Sequence, residues 1–204
     1  LGRANVYNLL SVVCTATALG LPRNAVEQGI ERMTGVPGRF ESVSSFDDDI
    51  PVFVDYAHTD DALRHLLETA RPLASQRLIT VFGCGGGRDR TKRPLMGMVA
   101  ARLSDLVVIT SDNPRNDKPV QIIEEVFRGA QTEVDMTGAE IVTIVDRREA
   151  IHEAVQRAKP GDMVVITGKG HEKFQEINDD LIPFDDVLVA REALTKRRGR
   201  SRAT

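Results

Sequence analysis

Between residues 50 and 170 the chain alternates five short runs of branched apolar residues with stretches of helical periodicity, and this alternation confines it to one class of fold. The runs occupy residues 52–55, 78–82, 106–110, 141–145 and 163–167, and helical spacing reads over about 60–72, 94–103, 119–130, 147–158 and 185–196. Strands that are apolar at successive positions need cover on both faces, and intervening helices supply it. The expected fold class is therefore α/β, with a mostly parallel, Rossmann-like sheet flanked by helices. Local signals agree: Asp146 with Glu149 makes a capping-box-like start, and Pro119 stands where a first-turn proline is tolerated.

The N-terminal quarter differs. Residues 5–19 and 24–33 have helical spacing around the Gly20-Leu21-Pro22 break, which predicts a helical hairpin too small to bury both faces by itself. Gly35-Val36-Pro37-Gly38-Arg39 reads as a turn-rich linker, and 40–45 as a short strand before the acidic loop Asp47-Asp48-Asp49. The expected division is residues 1–40, 41–195, and a basic tail at 196–204. That tail holds Lys196, Arg197, Arg198, Arg200 and Arg202 with no acid among them, so the net charge of −3 conceals an acidic body. The tail is expected to be frayed and solvated, and an acidic body excludes the usual nucleic-acid binder. Hydrophobic residues at 41% and charged ones at 28% exclude the disordered classes. No apolar run approaches the length of a membrane helix, and the opening residues lack a leader pattern. Cys14 and Cys84 have no neighbours at metal-ligand spacing, so neither a disulfide framework nor a metal site is expected, and the location expected is cytoplasmic.

In an open parallel sheet the ligand site lies beyond the carboxyl ends of the strands. The loops expected there are 55–60, 83–93, 111–115, 146–147 and 168–172, and they are polar. The glycine-rich loop 83–87 does not complete a dinucleotide fingerprint, because Arg88 and Arg90 stand where glycine is needed; Gly168-Lys169 is followed by Gly170 and not by the Ser or Thr of a phosphate loop. Glycines that let backbone N–H groups approach an anion, with Arg88, Arg90, Lys92 and Arg93 beside them, still suit an anionic ligand. Arg115, in Asp112-Asn113-Pro114-Arg115, offers a second guanidinium fork, and Glu172 a carboxylate for an ammonium. Singly, each is also an ordinary loop residue, and His58 and His171 read as histidines satisfied within turns. Together they describe an amino acid with more than one carboxylate.

Taken in order, the stretches Asn5-Val-Tyr-Asn-Leu-Leu10, Gly35-Val-Pro-Gly-Arg39, Val54-Asp-Tyr-Ala-His-Thr59, Val81-Phe-Gly-Cys-Gly-Gly86 with Arg88-Asp89 and Lys92-Arg-Pro-Leu-Met-Gly97, Ser111-Asp-Asn-Pro-Arg115, Pro160-Gly-Asp162 and Gly168-Lys-Gly-His-Glu172 resemble the C-terminal part of the Mur ligases, in the branch that adds meso-diaminopimelate. The resemblance implies that ATP phosphorylates the D-glutamate carboxylate of UDP-N-acetylmuramoyl-L-alanyl-D-glutamate and that the amine of meso-diaminopimelate attacks the acyl phosphate. It implies a diaminopimelate site at Arg88, Asp112, Asn113, Pro114, Arg115, Gly168 and Glu172. Arg115 would hold the distal carboxylate, which lysine lacks. It further implies contacts to ATP by Asn8, Arg39, Asp55, Tyr56 and His58. Asp60 departs from the proline that many relatives carry there.

The phosphate loop, the magnesium ligands, the carbamylated lysine and the UDP-sugar domain of the family have no counterpart in these residues. The resemblance therefore implies the C-terminal fragment of a longer ligase, in which residues 1–40 are a helical remnant of the central ATPase domain. That domain would bind ATP and Mg2+, and this fragment alone would hold no catalytic residue or metal and be inactive. The alternatives are a ligase for another amino acid such as lysine, a folylpolyglutamate synthetase-like protein, or a non-catalytic amino-acid-binding module.

Overall fold

The computed structural model describes residues 3–33 and 35–201, in two compact units that divide between Val36 and Pro37. The first unit is a helical hairpin of α1 (Arg3–Ala18) and α2 (Arg23–Glu31). Between them Gly20 adopts φ +72° and Leu21 N–H donates to Ala16 O at 3.0 Å, closing α1 before Pro22. Val6, Tyr7, Leu10 and Val12 of α1 are about half exposed.

The second unit carries the sheet. In chain order it contains β1 (Glu41–Ser42), β2 (Val52–Asp55), α3 (Asp60–Ala70), β3 (Leu78–Phe82), α4 (Lys92–Leu103), β4 (Leu106–Ile109), α5 (Pro119–Thr137), β5 (Glu140–Thr143), α6 (Arg147–Arg157), β6 (Met163–Thr167), β7 (Phe174–Ile177), β8 (Asp180–Pro183) and α7 (Asp186–Ser201). The strand order is β1-β2-β6-β3-β4-β5, parallel throughout except for β1. Two apolar layers sandwich it. Ile79 and Val81 of β3 meet Ile151 of α6 and Ala190 of α7, whereas Leu78 and Phe82 point the other way, to Leu67, Ala100 and Val126 of α3, α4 and α5. This is the period-2 alternation of a strand buried on both faces. Thr59 and Asp146 cap α3 and α6, accepting from Ala62 N–H at 3.2 Å and Glu149 N–H at 2.8 Å.

Three features depart from the sequence reading. Helix α5 runs seven residues past its expected end, to Gly138 in the left-handed region, because Glu133 is buried and paired with Arg102. The separate hairpin of β7 and β8 was not foreseen; its strands are too polar for an apolar-run search. The supposed frayed tail is helical as far as Ser201, the last residue described. Arg197 pairs bidentately with Asp49 at 2.7 and 2.6 Å and donates to the carbonyls of Val155 and Ala158, and Arg198 pairs with Asp48 at 2.7 Å. The acidic loop neutralises the basic helix end across nearly 150 residues of chain, which local charge counting does not register.

The Pro160-Gly161-Asp162 turn has a structural use. Asp162 is buried and accepts from Arg77 N–H at 3.0 Å, Arg77 Nε at 3.1 Å and Nη2 at 2.7 Å, and Lys159 N–H at 2.8 Å. Burial opposes ionisation, but these donors outweigh it and hold the carboxyl below its ordinary 3.8. Because the folded value is the lower one, the stabilisation is complete above the unfolded pKa and is lost as the pH falls through the folded pKa. Asp162→Ala should cost about 2–4 kcal/mol at pH 7 and lessen the destabilisation seen on acidification below about pH 4. Urea titrations at pH 7 and pH 3 check both effects, and an equal loss at the two pH values would refute the assignment.

Candidate functional site

A cleft of about 460 Å³ opens beyond the carboxyl ends of β2, β3, β4 and β6, in the size range of small-ligand sites. Order β2-β6-β3-β4 places a late strand between early ones, and ligands collect at such a reversal. Tyr56, His58 and Thr59 line it from the first loop; Gly83 to Gly85, Arg88, Asp89, Lys92, Arg93 and Met96 from the second; Asp112, Asn113 and Arg115 from the third; Gly168 and Glu172 from the fourth.

The second and third loops interlock. Gly86 N–H donates to Asn113 O at 2.8 Å, and a Cβ at Gly86 would stand 1.8 Å from Pro114 O, so only glycine permits the approach. Arg115, at φ +49°, donates its N–H to Glu176 O at 2.9 Å, and its own carbonyl accepts from Asn178 N–H at 2.8 Å. The β7–β8 hairpin thus fixes a strained residue from its far side. The Arg115 guanidinium is aimed by Gly86 O, 2.7 Å from Nη1, and by Glu176 Oε2, 2.8 Å from Nε. Arg88 makes no ion pair among the described residues. Arg90 and Arg93 do not supply free charge as expected: both pair with Glu125, and Arg93 also holds Asp117 at 2.7 Å. They brace the loop, leaving Arg88 and Lys92 beside Arg115 as its basic lining.

The acidic side is buried and ordered. Asn113 Oδ1 accepts from Lys169 Nζ at 2.8 Å and from Glu176 N–H at 3.0 Å, so its Nδ2 is turned to donate to Glu172 Oε2 at 2.9 Å. Lys169 Nζ lies 3.0 Å from the same Glu172 oxygen and 3.5 Å from Asp112 Oδ1. Burial pushes the Asp112 carboxyl above the usual range, with Arg147 and Lys169 opposing it; its Oδ1 is buried without a hydrogen bond and faces Lys169 Nζ at 3.5 Å. Burial likewise works against Glu172, but the bonds from Asn113 and Lys169 outweigh it and keep that carboxyl below its ordinary value. Gly168, at φ +113°, would bring a Cβ to 3.4 Å from Asp112 Oδ2. Cys84 is no nucleophile: burial pushes its thiol up to about 12, and it packs 3.6 Å from Met96 Sδ.

Of the residues expected to meet diaminopimelate, the cleft brings together Arg88, Asp112, Asn113, Arg115, Gly168 and Glu172. Pro114 is buried behind it and contributes its carbonyl to the loop turn. Of those expected to meet ATP, Tyr56 and His58 line the cleft, and Arg39 lies over the Tyr56 ring at 5.0 Å, with the His171 ring tilted against it. Asp55 points elsewhere: its two oxygens accept from Phe40 N–H at 2.7 Å and Ala57 N–H at 2.8 Å, tying the linker to β2. Burial raises its carboxyl despite those donors. Asn8 is exposed on α1 in the other unit. The sequence reading placed Arg147 and Lys169 in candidate loops without giving either a role, and it missed Glu176.

Residues 38–170 match the family model described as "Mur ligase, glutamate ligase domain". The chain is 54% identical over 199 residues to the UDP-N-acetylmuramoyl-L-alanyl-D-glutamate–2,6-diaminopimelate ligase of Gloeobacter violaceus, an alignment covering 98% of this chain and 40% of that protein. The ligase of the same name from Synechocystis sp. is 49% identical over 96% of this chain and 38% of its own length. Among solved structures, one of a ligase bearing that name superposes with a TM-score of 0.72 and 42% identity, covering 97% of this chain and 39% of its own. The chain thus spans about two fifths of the length of the curated relatives it matches.

Proposed function

The chain belongs to the Mur ligase family, and we propose that it is the amino-acid-binding portion of a ligase that joins meso-diaminopimelate to UDP-N-acetylmuramoyl-L-alanyl-D-glutamate during peptidoglycan precursor synthesis. One observation carries the reading: Arg88, Arg115, Asp112 and Glu172 line a single cleft. Two guanidinium groups and two carboxylates are the complement of a molecule bearing two carboxylates and an ammonium.

A carboxylate does not react with an amine at neutral pH, so the scheme requires ATP: an acyl phosphate forms with release of ADP, and the amine displaces phosphate to give the amide. This chain would deliver the amine. Diaminopimelate has two amino groups, and the one held between Asp112 and Glu172 would stay a protonated ammonium with no lone pair. The reacting amine would then be the one directed out of the cleft, and binding geometry would select which end is joined. Arg115 would hold the carboxylate next to the captive ammonium, a group that lysine does not possess.

In this scheme residues 1–40 would be the last helices of a central ATP-binding domain, residues 41–195 the amino-acid domain, and the enzyme would work in the cytoplasm. ATP and Mg2+ would be held mainly by that central domain. The part of the second unit that suits a nucleotide is the face made by Arg39, Tyr56, His58 and His171, which offers three clustered rings and one guanidinium. Among the described residues no cluster of His, Cys, Asp and Glu suits a metal ion, and Asp55 is occupied by backbone donors. When bound, Mg2+ would supply charge neutralisation for the transferred phosphoryl group.

Calorimetric titration of the chain with meso-diaminopimelate and with L-lysine tests the reading. A charge-assisted bidentate contact contributes about 1.5–3 kcal/mol, so diaminopimelate should bind at least about tenfold more tightly. Equal affinities, or no binding of diaminopimelate, would refute it.

A further inference from the structure

Lys169 is completely buried, yet nothing in the proposed chemistry uses it. A lysine out of water is normally costly unless its ammonium is fully engaged. Here it meets Asn113 Oδ1 at 2.8 Å, Glu172 Oε2 at 3.0 Å and Asp112 Oδ1 at 3.5 Å, with the Phe174 ring 5.6 Å away. All three polar partners line the cleft. We infer that Lys169 is a positioning residue that shapes the ammonium-binding end of the cleft and sets its charge so that it takes one cation.

Two consequences of its geometry support this. By occupying Asn113 Oδ1, Lys169 fixes which way the amide faces, and Asn113 Nδ2 then joins Lys169 on one oxygen of Glu172. Both donors pull on Oε2, and Oε1 has no partner among the described residues. Glu172 Oε1 and Asp112 Oδ2 have no hydrogen bond among the described residues, whereas Asp112 Oδ1 is buried against Lys169 Nζ at 3.5 Å. The second consequence is a matter of counting charges. Behind the site Arg147 and Asp186 pair and cancel each other, and His171 adds a charge only when protonated. With both carboxylates ionised, Asp112, Glu172 and Lys169 sum to one negative charge, which a single ligand ammonium neutralises; the incoming cation opposes the burial that raises the Asp112 carboxyl.

The inference rests on the reading of the cleft as a diaminopimelate site, and the experiment separates the two. Calorimetry of the chain with meso-diaminopimelate is run between pH 6 and pH 8 for wild type, Lys169→Met, and Lys169→Met combined with Glu172→Gln. Wild type, in which Lys169 offsets one carboxylate, should change less across this range than the single variant. In Lys169→Met two carboxylates remain close together without the cation, so one of them holds a proton into the neutral range. Affinity should fall at least tenfold at pH 6 and recover severalfold as the pH rises to 8. The double variant keeps a single carboxylate and should bind weakly, with a pH slope smaller than that expected of the single variant and no steeper than that of wild type, an outcome that a purely structural role would not give. Wild-type affinity in Lys169→Met, or weakened binding with no pH slope, overturns the inference alone. If the single variant does not fold, a double variant with a profile steeper than that of wild type overturns it equally. Failure of the wild-type chain to bind diaminopimelate overturns the reading of the cleft and the inference with it.

Discussion

Arg147→Met is expected to cost the second unit about 3–5 kcal/mol, the loss typical when one partner of a buried ion pair is removed. Arg147 and Asp186 both have fully buried side chains and meet bidentately, at 2.8 Å from Nε and 2.7 Å from Nη2. Arg147 also donates to Thr167 O at 2.9 Å and reaches Ser111 O at 3.4 Å. These carbonyls immediately precede Gly168 and Asp112, so one guanidinium fastens the ends of β4 and β6, from which the site loops emerge. Methionine fills much of the volume but leaves the Asp186 carboxylate uncompensated away from water. Against a total stability of roughly 5–15 kcal/mol, this should lower the melting temperature by on the order of 10 °C. Replacing both partners, as Arg147→Met with Asp186→Leu, should recover most of the loss, because no buried charge then remains. Circular dichroism melts decide the matter; a single variant within 1 kcal/mol of wild type would mean that the pair is not the anchor described.

Arg115→Ala should reduce the affinity for meso-diaminopimelate by roughly 10- to 100-fold, equivalent to about 1.5–3 kcal/mol, while the affinity for L-lysine stays within about twofold. The asymmetry follows from the ligand, since lysine has no carboxylate for this guanidinium to lose. Its stability cost should be small. The ion pair with Glu176 is partly solvated, with side chains 25% and 32% exposed, and exposed pairs contribute at most about 1 kcal/mol. Alanine also keeps the Cβ that already tolerates φ +49°. Parallel titrations check the prediction, and an equal fall for both ligands would point to collapse of the loop and not to loss of a carboxylate contact.

The sheet was legible in the sequence because its strands are apolar on both faces, as at Leu78, Ile79, Val81 and Phe82, and such runs announce themselves locally. The β7–β8 hairpin was not, since Gln175, Glu176 and Asp180 give it no apolar run; the Asn178-Asp179 pair between two short segments was the available sign. In the site, arginine, aspartate and glutamate on consecutive loops could be read as ligand-binding chemistry without knowing their distances. Which charges were already engaged could not be read. Arg93 finds Glu125, Lys169 finds Asn113, and Arg197 finds Asp49 over separations of 32, 56 and 148 residues. Such pairings belong to the folded topology, so the sequence reading overestimated the free positive charge of loop 83–93 and gave the buried lysine no role.

That one cleft takes a diamino dicarboxylic acid is tested most directly by a two-dimensional amide NMR titration of the chain with meso-diaminopimelate. Saturable shifts are expected to concentrate at residues 83–88, 112–115 and 168–172, where the cleft-lining loops lie. Saturable shifts centred anywhere else, or no shifts up to millimolar ligand, would contradict it.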